Sequence, residues 1–211
     1  SLYDISKDPH EIHNLASDPT HRETLLQLRS ALQSQVKEIH DLSFYPENQM
    51  IELALADGAR FGETHAVEIS SLVDAVDLAL LPFADATKGI AKGLKSKNPR
   101  IRYWTLTACT SFAKQAERFT NTAKELLDDE DDLVRLRATE FLAVIGHTDP
   151  QNTIYDILAS NPSGTVAAIT LNTVVFLRDH HDYEFQLDSS KIKGSHEPLV
   201  QRRLEYLNKQ D

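Results

Sequence analysis

Between Asp131 and Gly146 the apolar residues Val134, Ala138, Phe141, Leu142 and Ile145 fall on one helical face. Acidic residues open the stretch and a glycine closes it. The same pattern stands 33 residues earlier, with Ile101, Thr105, Ala108, Cys109 and Phe112 at the matching offsets and Arg102 where Arg135 lies. A fainter copy follows 32 residues later, carried by Val166, Thr170, Thr173, Val174 and Leu177. A fixed period of this size on amphipathic helices predicts a stacked helical-repeat array, since no single helix pair hides its own apolar face. Ile90 and Leu94, Ala123 and Leu127, and Ile154 and Leu158 mark the first helix of three successive pairs.

Elsewhere the pattern is less regular. A helix over His21–Ile39 carries Leu25, Leu28, Leu32 and Val36. Pro46 opens a short helix with Met50, Leu53 and Ala54 that ends near Gly58, and another carries Ile69, Leu72, Val73, Val76 and Leu80 as far as Pro82. A last helix is expected over Pro198–Asn208. Residues 1–20 read as extended or turn-like, with a short strand over Leu2–Asp4, and 178–194 as a loop with one strand. The expected fold is therefore all-α: an α-solenoid (α-α superhelix) with a short extended N-terminal leader. The poorly matched third repeat and the irregular helices at 48–81 serve as its caps.

Composition changes this picture little. At 211 residues and 41% hydrophobic content the chain has the means for a sizeable core, and no apolar run approaches a membrane span. The chain opens at Ser1 without an initiator methionine, so we expect a fragment or a processed product. Its single cysteine excludes an internal disulfide and a cysteine-rich metal site. A net charge of −10 argues against nucleic acid as a partner. The exception is Lys88–Arg118, which holds eight basic residues and one acidic. Lys88, Lys92 and Lys95 share a helix face. With Arg100, Arg102, Tyr103 and Trp104 they form the candidate surface for sulfated or carboxylated glycan, or for docking another domain.

Other candidates have plainer readings. Cys109 aligns with Leu142 and Val174, as a small buried hydrophobe would. The run Asp128–Asp132 lacks an EF-hand's glycine and terminal glutamate, and is expected to cap a helix and face Arg102, Arg135 or Arg137. Asp179, His180, His181 and Asp182 read as a solvated loop rather than a metal site, and His10 and His13 as parts of a turn.

The leader adds a resemblance. Leu2-Tyr3-Asp4-Ile5, Asp8-Pro9-His10-Glu11 and Asn14-Leu15-Ala16 resemble the C-terminal signature of type I, formylglycine-dependent sulfatases. The continuation through Ile39–Glu47 into repeats with Arg100-Ile101-Arg102-Tyr103-Trp104 resembles bacterial sulfatases that carry HEAT-like repeats. The resemblance implies two parts: the end of a sulfatase C-terminal subdomain (1–47) and a HEAT-like domain (48–211). It also implies a parent enzyme, periplasmic or secreted, that hydrolyses carbohydrate sulfate esters with formylglycine and Ca²⁺. The expected partners are its catalytic domain, sulfated polysaccharide or a second copy. The formylglycine motif Cys/Ser-x-Pro-x-Arg is missing here, because Cys109 is followed by Thr110-Ser111-Phe112-Ala113. This segment is thus expected to be non-catalytic and to hold no cofactor itself. A rival reading is a free-standing HEAT-repeat scaffold that binds another protein.

Overall fold

Three helix–turn–helix pairs carry the apolar periodicity, and each inner helix begins on a side-chain cap at the same place. The computed structural model describes residues 1–209 and is all-α, with no strand among them. Its α-helices are α1 (Arg22–Glu38), α2 (Glu47–Ala54), α3 (Gly58–Thr64), α4 (Ala66–Asp77), α5 (Phe83–Gly93), α6 (Pro99–Phe112), α7 (Thr120–Glu125), α8 (Asp132–Val144), α9 (Gln151–Ser160), α10 (Gly164–His181) and α11 (Pro198–Leu207). Helix α5 packs on α6, α7 on α8 and α9 on α10. The second helices then lie side by side, α6 against α8 and α8 against α10, with α11 closing on α10.

The caps explain where those second helices start. Asn98 accepts from the Arg100 amide, Asp131 from those of Leu133 and Val134, and Ser163 from that of Val166. Each satisfies an amide that the first helical turn leaves without a partner. Two residues before each cap stands a polar side chain, Ser96, Asp129 or Asn161, that accepts from the cap's own amide at 2.9–3.2 Å. Helix ends are equally local. Gly146 (φ 77°) and Asp182 (φ 58°) turn left-handed after α8 and α10, whereas α6 stops on Ala113 at φ 48°, a conformation that suits glycine.

One core runs from Ala86 to Leu204, and Leu106, Leu136, Phe141, Leu142, Leu171 and Leu177 within it are fully buried. Each such side chain contributes roughly 1.5–3 kcal/mol. Thr105, Thr139 and Thr170 lie on the same buried faces and donate to the carbonyl four residues back at 2.7–2.9 Å, so burial leaves no hydroxyl unsatisfied. A smaller cluster of Tyr45, Ile69, Leu72 and Val73 joins the main core through Trp104.

Several expectations shift. The leader forms hydrogen-bonded turns in place of a strand: Asp4 accepts from Ser6, Asp8 from the amides of Ile12 and His13, and Asn14 Oδ1 from those of Leu2 and Ala16. The Leu15 amide also donates to Leu2 at 2.7 Å and closes the loop. Residues 58–64 form α3, where no helix was expected, with Asp57 capping it. The first helix of the middle pair is reduced to α7 between 3-10 turns, because the strained exit at Ala113 consumes the preceding residues. At the far end α10 extends through His181, so His180 and His181 pack beside Phe176 instead of standing in a loop. The 183–197 stretch that follows holds one 3-10 turn.

Candidate functional site

The basic stretch divides into an exposed lysine row and four residues that face inward. Lys88, Lys92 and Lys95 are all exposed along α5 and just beyond its end. Beside them runs a cleft of about 470 Å³ lined by Ala75 and Leu78 on one bank, Gly89 and Gly93 on the other, and Ile101 and Thr105 at its floor. Packing requires a glycine at 93, whereas at 89 a half-buried leucine would have to swing its methyl aside. A Cβ on Gly93 would stand 2.2 Å from Thr105 Oγ1 and one on Gly89 2.4 Å from a Leu78 methyl.

Arg100 turns away from this row into a polar joint. Its guanidinium donates to Gln49 and, at 2.9 Å, to Glu68, and lies 4.8 Å from the centre of the Tyr45 ring. Glu68 is the hub of that joint, since it also accepts from the Tyr45 hydroxyl and from Nδ2 of the Asn98 side chain, each at 2.6 Å. Partial burial pushes the Glu68 carboxyl up, but the hydrogen bonds from Tyr45 and Asn98 and the Arg100 charge outweigh it and hold it below its ordinary value. The Tyr45 hydroxyl moves the other way, raised by desolvation and then by its bond to the carboxylate. Trp104 completes the joint by donating its indole N–H to the Phe44 carbonyl at 2.6 Å.

Arg102 and Tyr103 tie α6 to the turn before α8 and to α8 itself. Arg102 forms a two-pronged pair with Asp129, at 2.7 and 2.8 Å, and donates a third bond to the Ser96 carbonyl. The two side chains are only 10% and 6% exposed. Arg135, one repeat on, reaches Asp132 and Asp156 at 2.7 and 2.9 Å. The acidic run thus faces Arg102 and Arg135, while Arg137 pairs with Glu140 and donates to the Tyr103 hydroxyl. Its guanidinium also lies 4.9 Å from the Tyr103 ring centre, and Thr173 of α10 donates to Glu140 at 2.8 Å. Tyr103, Arg137, Glu140 and Thr173 therefore link α6, α8 and α10 in one polar network.

The structure thus keeps three of the seven predicted residues on one open edge and uses Arg100, Arg102, Tyr103 and Trp104 for internal contacts. Sequence reasoning missed Glu68, Gln49 and Tyr45, which belong to helices or turns without a repeat counterpart. The acidic cap expected before α8 is Asp131, but the matching caps at 98 and 163 were missed, although they stand 33 residues before it and 32 after, the spacing of the apolar positions. Cys109 is fully buried among apolar side chains, and desolvation pushes its thiol up to about 12, which leaves it an inert hydrophobe. Among the described residues no group of His, Cys, Asp and Glu is arranged to hold a metal ion, and no helix is long and apolar enough to cross a membrane. A scan against protein-family models and searches of curated proteins and of solved structures return no significant match.

Proposed function

We propose that the chain is the non-catalytic C-terminal part of a sulfatase, in which a HEAT-like α-solenoid docks on and supports a catalytic domain that precedes residue 1. The observation that carries this reading is the condition of α1. It is 17 residues long and buries none of them, while Leu28, Leu32 and the adjoining Ile39 are 56%, 63% and 63% exposed. Only Val36 packs on the apolar cluster of α4, and polar groups make the rest of the attachment. Arg29 donates to the Asp77 carboxylate and to the carbonyls of Asp77 and Leu80, and Lys37 reaches Asp74 at 2.5 Å. An apolar stripe on a helix so attached belongs to the core of a neighbouring body. The leader that feeds α1 is the segment whose residues resemble the sulfatase signature, and its Asp4, Asp8 and Asn14 serve as turn-forming acceptors.

On this reading the parent enzyme cleaves sulfate esters of carbohydrates with formylglycine and Ca²⁺ held in the preceding domain, and the present residues supply no catalytic group. The coding sequence ahead of Ser1 provides the test. An in-frame Cys/Ser-x-Pro-x-Arg motif is expected there, and an initiator codon adjoining Ser1 would overturn the proposal. Turnover of 4-nitrophenyl sulfate by the purified chain itself would also contradict it.

A further inference from the structure

The cleft between α4 and α5 combines features that the repeat architecture alone does not call for. Ala75, Leu78 and Ile101 give it an apolar wall, interrupted by Ser71, Ser96 and Thr105, and the glycines of α5 let Leu78 and Thr105 close up against that helix. At its mouth stand Lys92 and Lys95, both exposed and neither paired with a carboxylate among the described residues. The nearest acid on the rim, Asp74, is already engaged by Lys37 at 2.5 Å and by Gln33 at 3.2 Å, so its charge is offset. Lys88, one turn earlier on the same face, adds a third positive charge. Two unpaired ammonium groups beside an apolar floor, in a protein of net charge −10, form a local trap for negative charge.

We propose that this cleft binds a small organic anion. Its apolar body lies over Ala75, Leu78 and Ile101, and its carboxylate, sulfate, sulfonate or phosphate group meets Lys92 and Lys95. The volume of about 470 Å³ lies within the roughly 300–1,000 Å³ usual for small-molecule sites. A polymer fits less well. Tyr103 and Trp104 are turned into the protein, so the lysine row has no aromatic face on which a sugar or a base can stack.

The full chain, labelled with ¹⁵N, is titrated with 4-nitrophenyl sulfate, 4-nitrophenyl phosphate and 4-nitrobenzoate, with neutral 4-nitrobenzyl alcohol and inorganic sulfate as controls. Saturable amide shifts are expected at Ala75, Leu78, Gly89 and Gly93 for at least one organic anion, and the ranking of the three identifies the preferred head group. Lys92→Ala with Lys95→Ala should weaken that binding about tenfold, and Ser71→Trp should abolish it by filling the cleft. Lys114→Ala, outside the cleft, should leave it unchanged. The proposal fails if no probe shifts these amides up to about 10 mM, if binding survives the lysine pair's removal, or if inorganic sulfate or the neutral alcohol binds as well. Absence of binding would leave the sulfatase reading untouched, whereas turnover of the sulfate probe would sink that reading alone.

Discussion

Arg102 and Arg135 occupy the same position in successive repeats, yet their surroundings give them different weight. Arg102 and Asp129 are nearly out of solvent, so removing either leaves a buried charge without its partner. Arg135 shares its guanidinium with an Asp156 that is 58% exposed, where solvent screens the pair. Arg102→Ala is therefore expected to cost about 3 kcal/mol in urea denaturation, and Arg135→Ala under about 1 kcal/mol; equal losses would show that burial does not set the difference. Ala113 offers a gain instead. At φ 48° a side chain is strained, so Ala113→Gly should raise stability by about 1 kcal/mol, read from the same curves. The repeating arginine was legible in the sequence, because its spacing follows the apolar positions. Its choice of Asp129 from a five-residue acidic run was not, since that depends on how the turn before α8 folds back.

Among the helices, legibility tracked periodicity. The positions of α6, α8 and α10 followed from their apolar spacing, because each must present one face to its neighbours. Helix α3 was invisible for the converse reason: its sequence, with two glycines and no apolar stripe, is held by the Asp57 cap and by Phe61 against Tyr45 and His65. The shortening of α7 was equally hidden, since Ala113 carries no sequence mark of its left-handed turn. The contact of α5 with α6 is the tightest test of the helix packing. Thr105 is a short, fully buried side chain with no room to retreat, so Gly93→Ala should force the helices apart and cost about 1–3 kcal/mol. A midpoint unchanged in thermal unfolding would mean that the pair is looser than its geometry indicates.

At the scale of the whole molecule, the polar joint around Glu68 connects the segment from Phe44 to Gln49, helix α4 and the start of α6. A carboxyl held below its ordinary value stabilises the fold above its unfolded titration range. That contribution is lost as pH falls through the folded value. Stability is thus expected to drop in acid below the usual glutamate range, and Glu68→Gln should flatten that part of the pH profile of the melting temperature. A variant with the same acid limb as the wild type would place the loss elsewhere. None of this joint was predicted as a unit, because Tyr45, Glu68 and Arg100 lie far apart along the chain and converge only after folding.

The attachment of α1 has a mechanical corollary. Guanidinium and ammonium contacts and the single apolar side chain of Val36 hold it to α4, while one continuous apolar core joins the helices further along. Under tension applied at the two termini, α1 is the seam that gives way first, peeling off as a unit at low load while the stacked pairs stay shut. Raised salt would make it peel more easily still.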